Sequence, residues 1–166
     1  WGAELPEQDY CSVGSDNELG GRRATSHLLR LGYKRIVFLG DQSEPEAFQR
    51  QKGYYDALQE ASFSRDADLI VPCQFNLEAG QTAVETLLAR GLKFDAIFAA
   101  SDLIGLGAMR ALREAGLSVP KDVAIVGYDN VPFSQMSHPT LSTINQDVAC
   151  AGRTLVSKIL DSDGFP

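Results

Sequence analysis

The chain has 166 residues and a net charge of −7, with 44% hydrophobic and 22% charged residues. A chain of this size and mix can bury a core without a metal or disulfide, and its 15 Gly and 7 Pro fall well short of a low-complexity or collagen-like chain. The acidic balance, with no Lys/Arg run longer than Arg22-Arg23, excludes DNA or RNA binding by these residues themselves.

In chain order, Gly20 to Leu31 reads as a helix stopped by Gly32, and Arg35 to Asp41 (RIVFLGD) as a strand. Ser43 to Glu46 (SEPE) supplies a cap, an early Pro and an acidic first turn for the next helix. Ala67 to Cys73 is a second strand, followed by a helix capped by Asn76 and ended by Arg90-Gly91. A third strand, Phe94 to Asp102, leads into a helix capped by Ser101 or Asp102 and ended at Gly116. Its apolar residues Leu103, Leu106, Met109 and Leu112 recur at helical spacing. The fourth strand is Asp122 to Asp129. An irregular piece with Pro132 and Pro139, a short strand Leu141 to Ile144 and a helix from about Asp147 to Leu160 complete the chain.

Each of the four main strands holds four or five consecutive apolar residues with little alternation, which favours a parallel sheet buried on both faces. Strands alternating with helices predict a doubly wound, three-layer αβα fold, with the four strands in the spatial order 2-1-3-4. The core unit is expected over 34–145, with the first and last helices flanking it.

In open sheets of this kind, ligands bind beyond the carboxyl ends of the strands. Asp41, Phe75, Ser101, Asp102 and Asp129 fall there. Carboxylates accept hydrogen bonds from vicinal hydroxyls and a ring stacks on the apolar face of a sugar, so this edge suits a polyol. Asp102 reads equally well as a helix cap, and Asp41 as a solvated turn residue. Asp129 ends an apolar strand with no helix to cap, and is the strongest ligand candidate.

Enzyme signatures are missing: there is no G-x-S-x-G elbow and no phosphate-binding P-loop. Gly105 and Gly107 lie inside a helix and read as sites of close helix approach, not as a dinucleotide fingerprint. A phospho-acceptor module needs an acidic pair after the first strand, where Asp41 stands alone. Cys11, Cys73 and Cys150 are too far apart for a metal site, as are His27 and His138, so no cofactor or metal is expected and the thiols read as reduced. No apolar run approaches the roughly 18 residues of a membrane span. The N-terminal WGAELPEQDY, with three carboxylates, is not a signal peptide. The expected location is cytoplasmic. The start without Met suggests excision from a longer chain.

The segment FDAIFAASDLIGLGAMRALREAGLSVPKDVAIVGYDN, followed by HPTLSTINQD, resembles the effector-binding core of the lactose/galactose repressor family of transcription regulators. So does SDNELGGRRATSHLLRLGYKRIVFLGD, and the resemblance spans 13 to about 160. It implies a two-lobed, periplasmic-binding-protein-like fold of which this chain is mainly the C-terminal lobe. Residues 1–33 would be a crossover and helix of the N-terminal lobe, and 146–166 a crossover and helix returning to it. The DNA-binding headpiece would lie upstream.

By the same resemblance, Arg50 in QRQKGY, Phe75, Ser101, Asp129, Gln146 and Val148 are expected ligand contacts. Ser101 stands where some members have Asn, and Val148 where many have an aromatic ring. The implied partners are a small sugar-like or nucleoside-like effector and, through the headpiece alone, operator DNA. A homodimer is expected through Leu106, Gly107 and Arg110 on the helix after Ser101, together with Met136 in the apolar loop that follows the fourth strand. The implied function is a non-enzymatic regulator; a secreted sugar-binding protein of a transporter shares the fold and stands as the alternative.

Overall fold

The computed structural model describes residues 2–3 and 12–161. Cys11, read above as a reduced thiol, and the terminal SDGFP segment, which the sequence marks as a flexible linker, lie outside them. The elements are α1 (Asn17–Arg30), β1 (Ile36–Leu39), α2 (Pro45–Glu60), β2 (Ile70–Val71), α3 (Leu77–Ala89), β3 (Ala96–Ala99), α4 (Asp102–Glu114), β4 (Ala124–Asp129), α5 (Pro132–Met136), β5 (Ser142–Asn145) and α6 (Val148–Asp161).

The five strands form one parallel sheet in the order β2-β1-β3-β4-β5, so the expected 2-1-3-4 order holds, with β5 added at the far edge. Every residue of β1 and β3 is buried, as their unbroken apolar runs require, and only the last residue of β4 is partly exposed. The edges are weaker. The β2 strand is two half-buried residues after a single 3-10 turn, Ala67–Leu69, and the outer residues of β5 are exposed. Short edge strands limit pairing with other chains.

Successive residues on a strand face opposite ways. On β4, a methyl at Gly127 would strike the Asp102 carboxylate of α4, whereas the Tyr128 ring lies against Gly20 of α1. The helices α1 and α4 therefore cover opposite faces, which gives the three layers.

Within each layer the helices meet backbone to backbone. A Cβ at Gly21 would fall on the Arg50 carbonyl, and one at Gly53 on the Glu18 carbonyl, joining α1 to α2. In the opposite layer, Gly80 faces the Ile104 carbonyl and Gly107 the Leu77 carbonyl, joining α3 to α4. These contacts correct two expectations. The first helix packs on this lobe through α2, with Ala24, Thr25 and Leu28 buried, and does not merely flank it. Its contact stripe is small residues, which hydrophobic periodicity underrates. Gly107 is buried against α3 in its own chain and is not a surface residue for a second copy.

Helix punctuation holds in part. Asn76 caps α3 through a 2.7 Å bond from Ala79 N, and Gly32, Gly91 and Gly116 adopt the positive φ that ends their helices. The N-cap of α2 is Glu44, which makes no side-chain cap bond. The irregular piece after β4 contains the short helix α5. Because backbone approach at the glycines leaves no room for a methyl, Gly107→Ala and Gly53→Ala should each lower stability by about 1–3 kcal/mol or more in urea unfolding. An unchanged midpoint in both would show that the helices can separate without cost.

Candidate ligand-binding site

A cleft of about 210 Å³ opens at the carboxyl end of the sheet, lined by residues that include Arg50, Phe75, Ser101, Asp129 and Gln146. Its centre is Arg50, on α2, only 3% exposed. The guanidinium lies 3.7 Å from the centroid of the Tyr128 ring and 5.9 Å from that of Phe75. Its Nε donates to Asn17 Oδ1 at 2.9 Å and its Nη1 to the Ala100 carbonyl at 2.6 Å. Burial works against its charge, and the facing Asp129 is the main group opposing that effect.

Asp129 Oδ1 sits 3.7 Å from Arg50 Nη1 and accepts a 2.6 Å bond from Gln146 Nε2. Gln146 Oε1 in turn accepts from the Ser15 hydroxyl at 2.7 Å. Burial pushes the Asp129 carboxyl up to about 6; Arg50 and the Gln146 amide pull the other way, while the Asp102 charge adds to the rise. The backbone here is strained: Asp129 has φ 116° and Asn130 φ 60°, values that side-chain-bearing residues seldom adopt. Ser101 is buried and caps α4, accepting from Ile104 N at 3.3 Å.

Residues 25–162 match the periplasmic binding protein-like domain family. The chain is 38% identical to the transcriptional regulator CelR of Thermobifida fusca, covering 95% of this chain and 46% of that protein. It is 33% identical to the repressor PurR of Aliivibrio salmonicida, over 97% and 48% of the two. Among solved structures, a CelR–cellobiose complex superposes with a TM-score of 0.82 at 38% identity, over 91% of this chain and 48% of that one. The Escherichia coli repressor ascG superposes with a TM-score of 0.86 at 30% identity, over 99% and 62%. The chain belongs to this family, as an effector-binding domain of the LacI type. It spans about half the length of the curated relatives it matches. LacI-family regulators are not enzymes.

Five of the six ligand residues expected of a LacI-type domain thus line one cleft. Val148 is the exception: it opens α6, is 67% exposed and is not part of the lining. Asp41 lies away from the cleft and closes a turn, accepting from Ser43 N at 2.9 Å. Asp102 is neither the helix cap nor a cleft residue; its buried carboxylate accepts from Val131 N and from the Thr143 hydroxyl. Sequence reasoning missed Ser15, Asn17 and Glu46. Asn17 is the buried partner of Arg50 at the start of α1, and Glu46 lies one helical turn before Arg50 on α2. That i, i+4 spacing was a usable signal for Glu46. Among the described residues, no group of three or more His, Cys, Asp or Glu could hold a metal ion, and no helix is long and apolar enough to cross a membrane.

The raised Asp129 carboxyl fixes a sign. The folded chain binds this proton more tightly than the unfolded chain, so its contribution to stability is complete below about pH 4 and is lost as pH rises through about 6. In urea unfolding at pH 4.5 and pH 7.5, the stability difference between wild type and Asp129→Asn should shift against the wild type at the higher pH. A difference independent of pH would show that Asp129 titrates normally.

Proposed function

We propose that this domain senses a small neutral sugar, bound against the Arg50–Asp129 pair and enclosed by a second lobe. Occupancy then changes the operator affinity of a helix-turn-helix headpiece elsewhere in a cytoplasmic regulator. The observation that carries this is the pair itself: a guanidinium with Nε and Nη1 already engaged, beside a carboxylate that keeps acceptor lone pairs beyond those used by Gln146. Hydroxyls can donate to the carboxylate and accept from the remaining guanidinium N–H groups, and Phe75 offers a face for a sugar ring. The cleft is smaller than the roughly 300–1,000 Å³ of a complete ligand pocket, which suits half of a two-lobed site. The exposed Val148, Val156 and Leu160 on α6 give a returning helix an apolar side for that other lobe.

Cellobiose, the ligand in the CelR complex, is the first probe. In calorimetry on the intact regulator, Asp129→Ala and Arg50→Ala should each weaken binding at least about tenfold, since the lost charge-assisted hydrogen bonds exceed the 1.4 kcal/mol that a factor of ten represents. A Kd unchanged by both substitutions would remove the pair from the site.

The regulator is proposed to act as a two-fold dimer through a groove of about 860 Å³ between α4 and the segment after β4. Leu106 and Met109 form its floor, with Phe133 and Met136 exposed beside them and Arg110, paired to Glu114 at 3.0 Å, at the rim. An apolar centre with rim charges of both signs suits self-association. Sedimentation should show a dimer at tens of micromolar and a monomer for Leu106→Lys; the same mass for both proteins would move the interface elsewhere.

A further inference from the structure

Asp102 lines neither the cleft nor the groove, yet its side chain is fully buried and meets the backbone that joins them. We propose that Asp102 is the positioning residue of the ligand site: its carboxylate holds the strained Asp129–Asn130 turn that presents Asp129, and through Val131 it makes that turn and helix α5 one unit.

The bonds on both sides of the carboxylate define this role. Oδ2 accepts from Val131 N at 2.8 Å. Oδ1 accepts the Thr143 hydroxyl proton at 2.6 Å, and Thr143 Oγ1 accepts from Asn130 N at 3.2 Å. A hydroxyl has a single proton, so an acceptor at Asp102 commits that proton and leaves the Thr143 lone pairs for Asn130. The two residues after the cleft carboxylate are thereby fixed at their N–H groups, and the φ values of 116° and 60° persist because the surroundings over-determine them.

The space over β4 is cleared for this carboxylate, since a methyl at Gly127 would strike Oδ1. Beyond Val131, its carbonyl accepts from the Ser134 amide and hydroxyl, at 2.9 and 2.7 Å, and Ser134 O accepts from Leu141 N at 2.9 Å. Ser134 is the buried residue of α5, and its neighbours Phe133 and Met136 line the groove. A displacement of Asp129 on one side of Asp102 therefore reaches α5 on the other.

The chain's two methionines, Met109 and Met136, both line the groove, so their 13C-methyl resonances in the intact regulator report on it directly once assigned by substitution to Leu. Without any ligand, Asp129→Asn should shift the Met136 methyl in the wild-type background and leave it unmoved in an Asp102→Asn background. Equal shifts in both backgrounds, or none in either, would overturn the coupling.

A second arm rests on the sugar reading. Asp102→Asn should weaken cellobiose binding about tenfold, the difference between a charge-assisted and a neutral hydrogen bond. It should cost nothing further once Asp129 is Ala; additive losses would sink the positioning role. If the wild type binds no cellobiose, the sugar reading fails for that probe while the ligand-free arm still decides the proposal. Should Asp102→Asn not fold, Thr143→Val must lose the coupling and Thr143→Ser keep it, and identical behaviour of the two would refute it.

Discussion

A guanidinium taken out of water needs its donors and its charge answered on the spot, and much of this lobe is arranged around Arg50 for that purpose. Three elements contribute four groups. The start of α1 supplies Asn17, the residue after β3 supplies the Ala100 carbonyl, and β4 supplies the Tyr128 ring and the Asp129 carboxylate. The Tyr128 ring is itself wedged against Gly20, so α1 cannot move away without exposing that ring and withdrawing Asn17 from the cation. Parallel strands bring these groups together because they all end on the same side of the sheet. Each partner leaves part of the hydrogen-bonding capacity of the pair unused at the cleft, which is what a ligand with hydroxyls requires.

The glycine contacts are the second condition for this arrangement. Gly21 touches the Arg50 carbonyl, so the α1–α2 contact that stabilises the layer also sets the distance from Asn17 to the guanidinium. Packing and site geometry here are one constraint. A larger residue at Gly21 would widen the layer and stretch the Asn17–Arg50 bond together.

The sheet was legible from the sequence because its strands are buried on both faces and so read as unbroken apolar runs. Asp129 and Phe75 were legible because a doubly wound sheet places its sites beyond the strand ends. Arg50 came from the resemblance alone, since nothing about an arginine within a polar helix face distinguishes a buried cation from a solvated one. Asn17 gave no signal at all: its role depends on a long-range approach that a small-residue stripe on α1 permits but does not announce. Asp102 looked like a cap because Asp before an apolar helix usually is one. Ser101 takes that position, which frees the Asp102 carboxylate to turn inward to Val131 and Thr143. Apolar periodicity in α4 also hid a division. Ile104, Ala108, Ala111 and Leu112 form the buried stripe, whereas Leu103 and Leu106 stay partly exposed and, with Met109, face the groove. Both stripes have the same period, so spacing cannot separate core from surface.

That division decides how the cleft and the groove can communicate. Helix α4 borders both, with Ser101 and Leu103 at one end and Leu106 and Met109 further along, and it is the obvious lever. Yet it is poorly placed to slide. Its Gly107 rests on the Leu77 carbonyl and Gly80 of α3 rests on the Ile104 carbonyl, contacts that leave no space for translation along either axis. The segment from Asp129 to Met136 is constrained differently. It has one strained turn, one five-residue helix and two exposed apolar side chains, and hydrogen bonds hold it at a few points, not packing along its length. Elements held by a few polar contacts open at lower free energy than elements locked by interior packing. A change at the Asp129 carboxylate is therefore carried by the turn and α5 moving over a fixed α4, and the contacts that set its cost are those made by the buried carboxylate at the head of that helix.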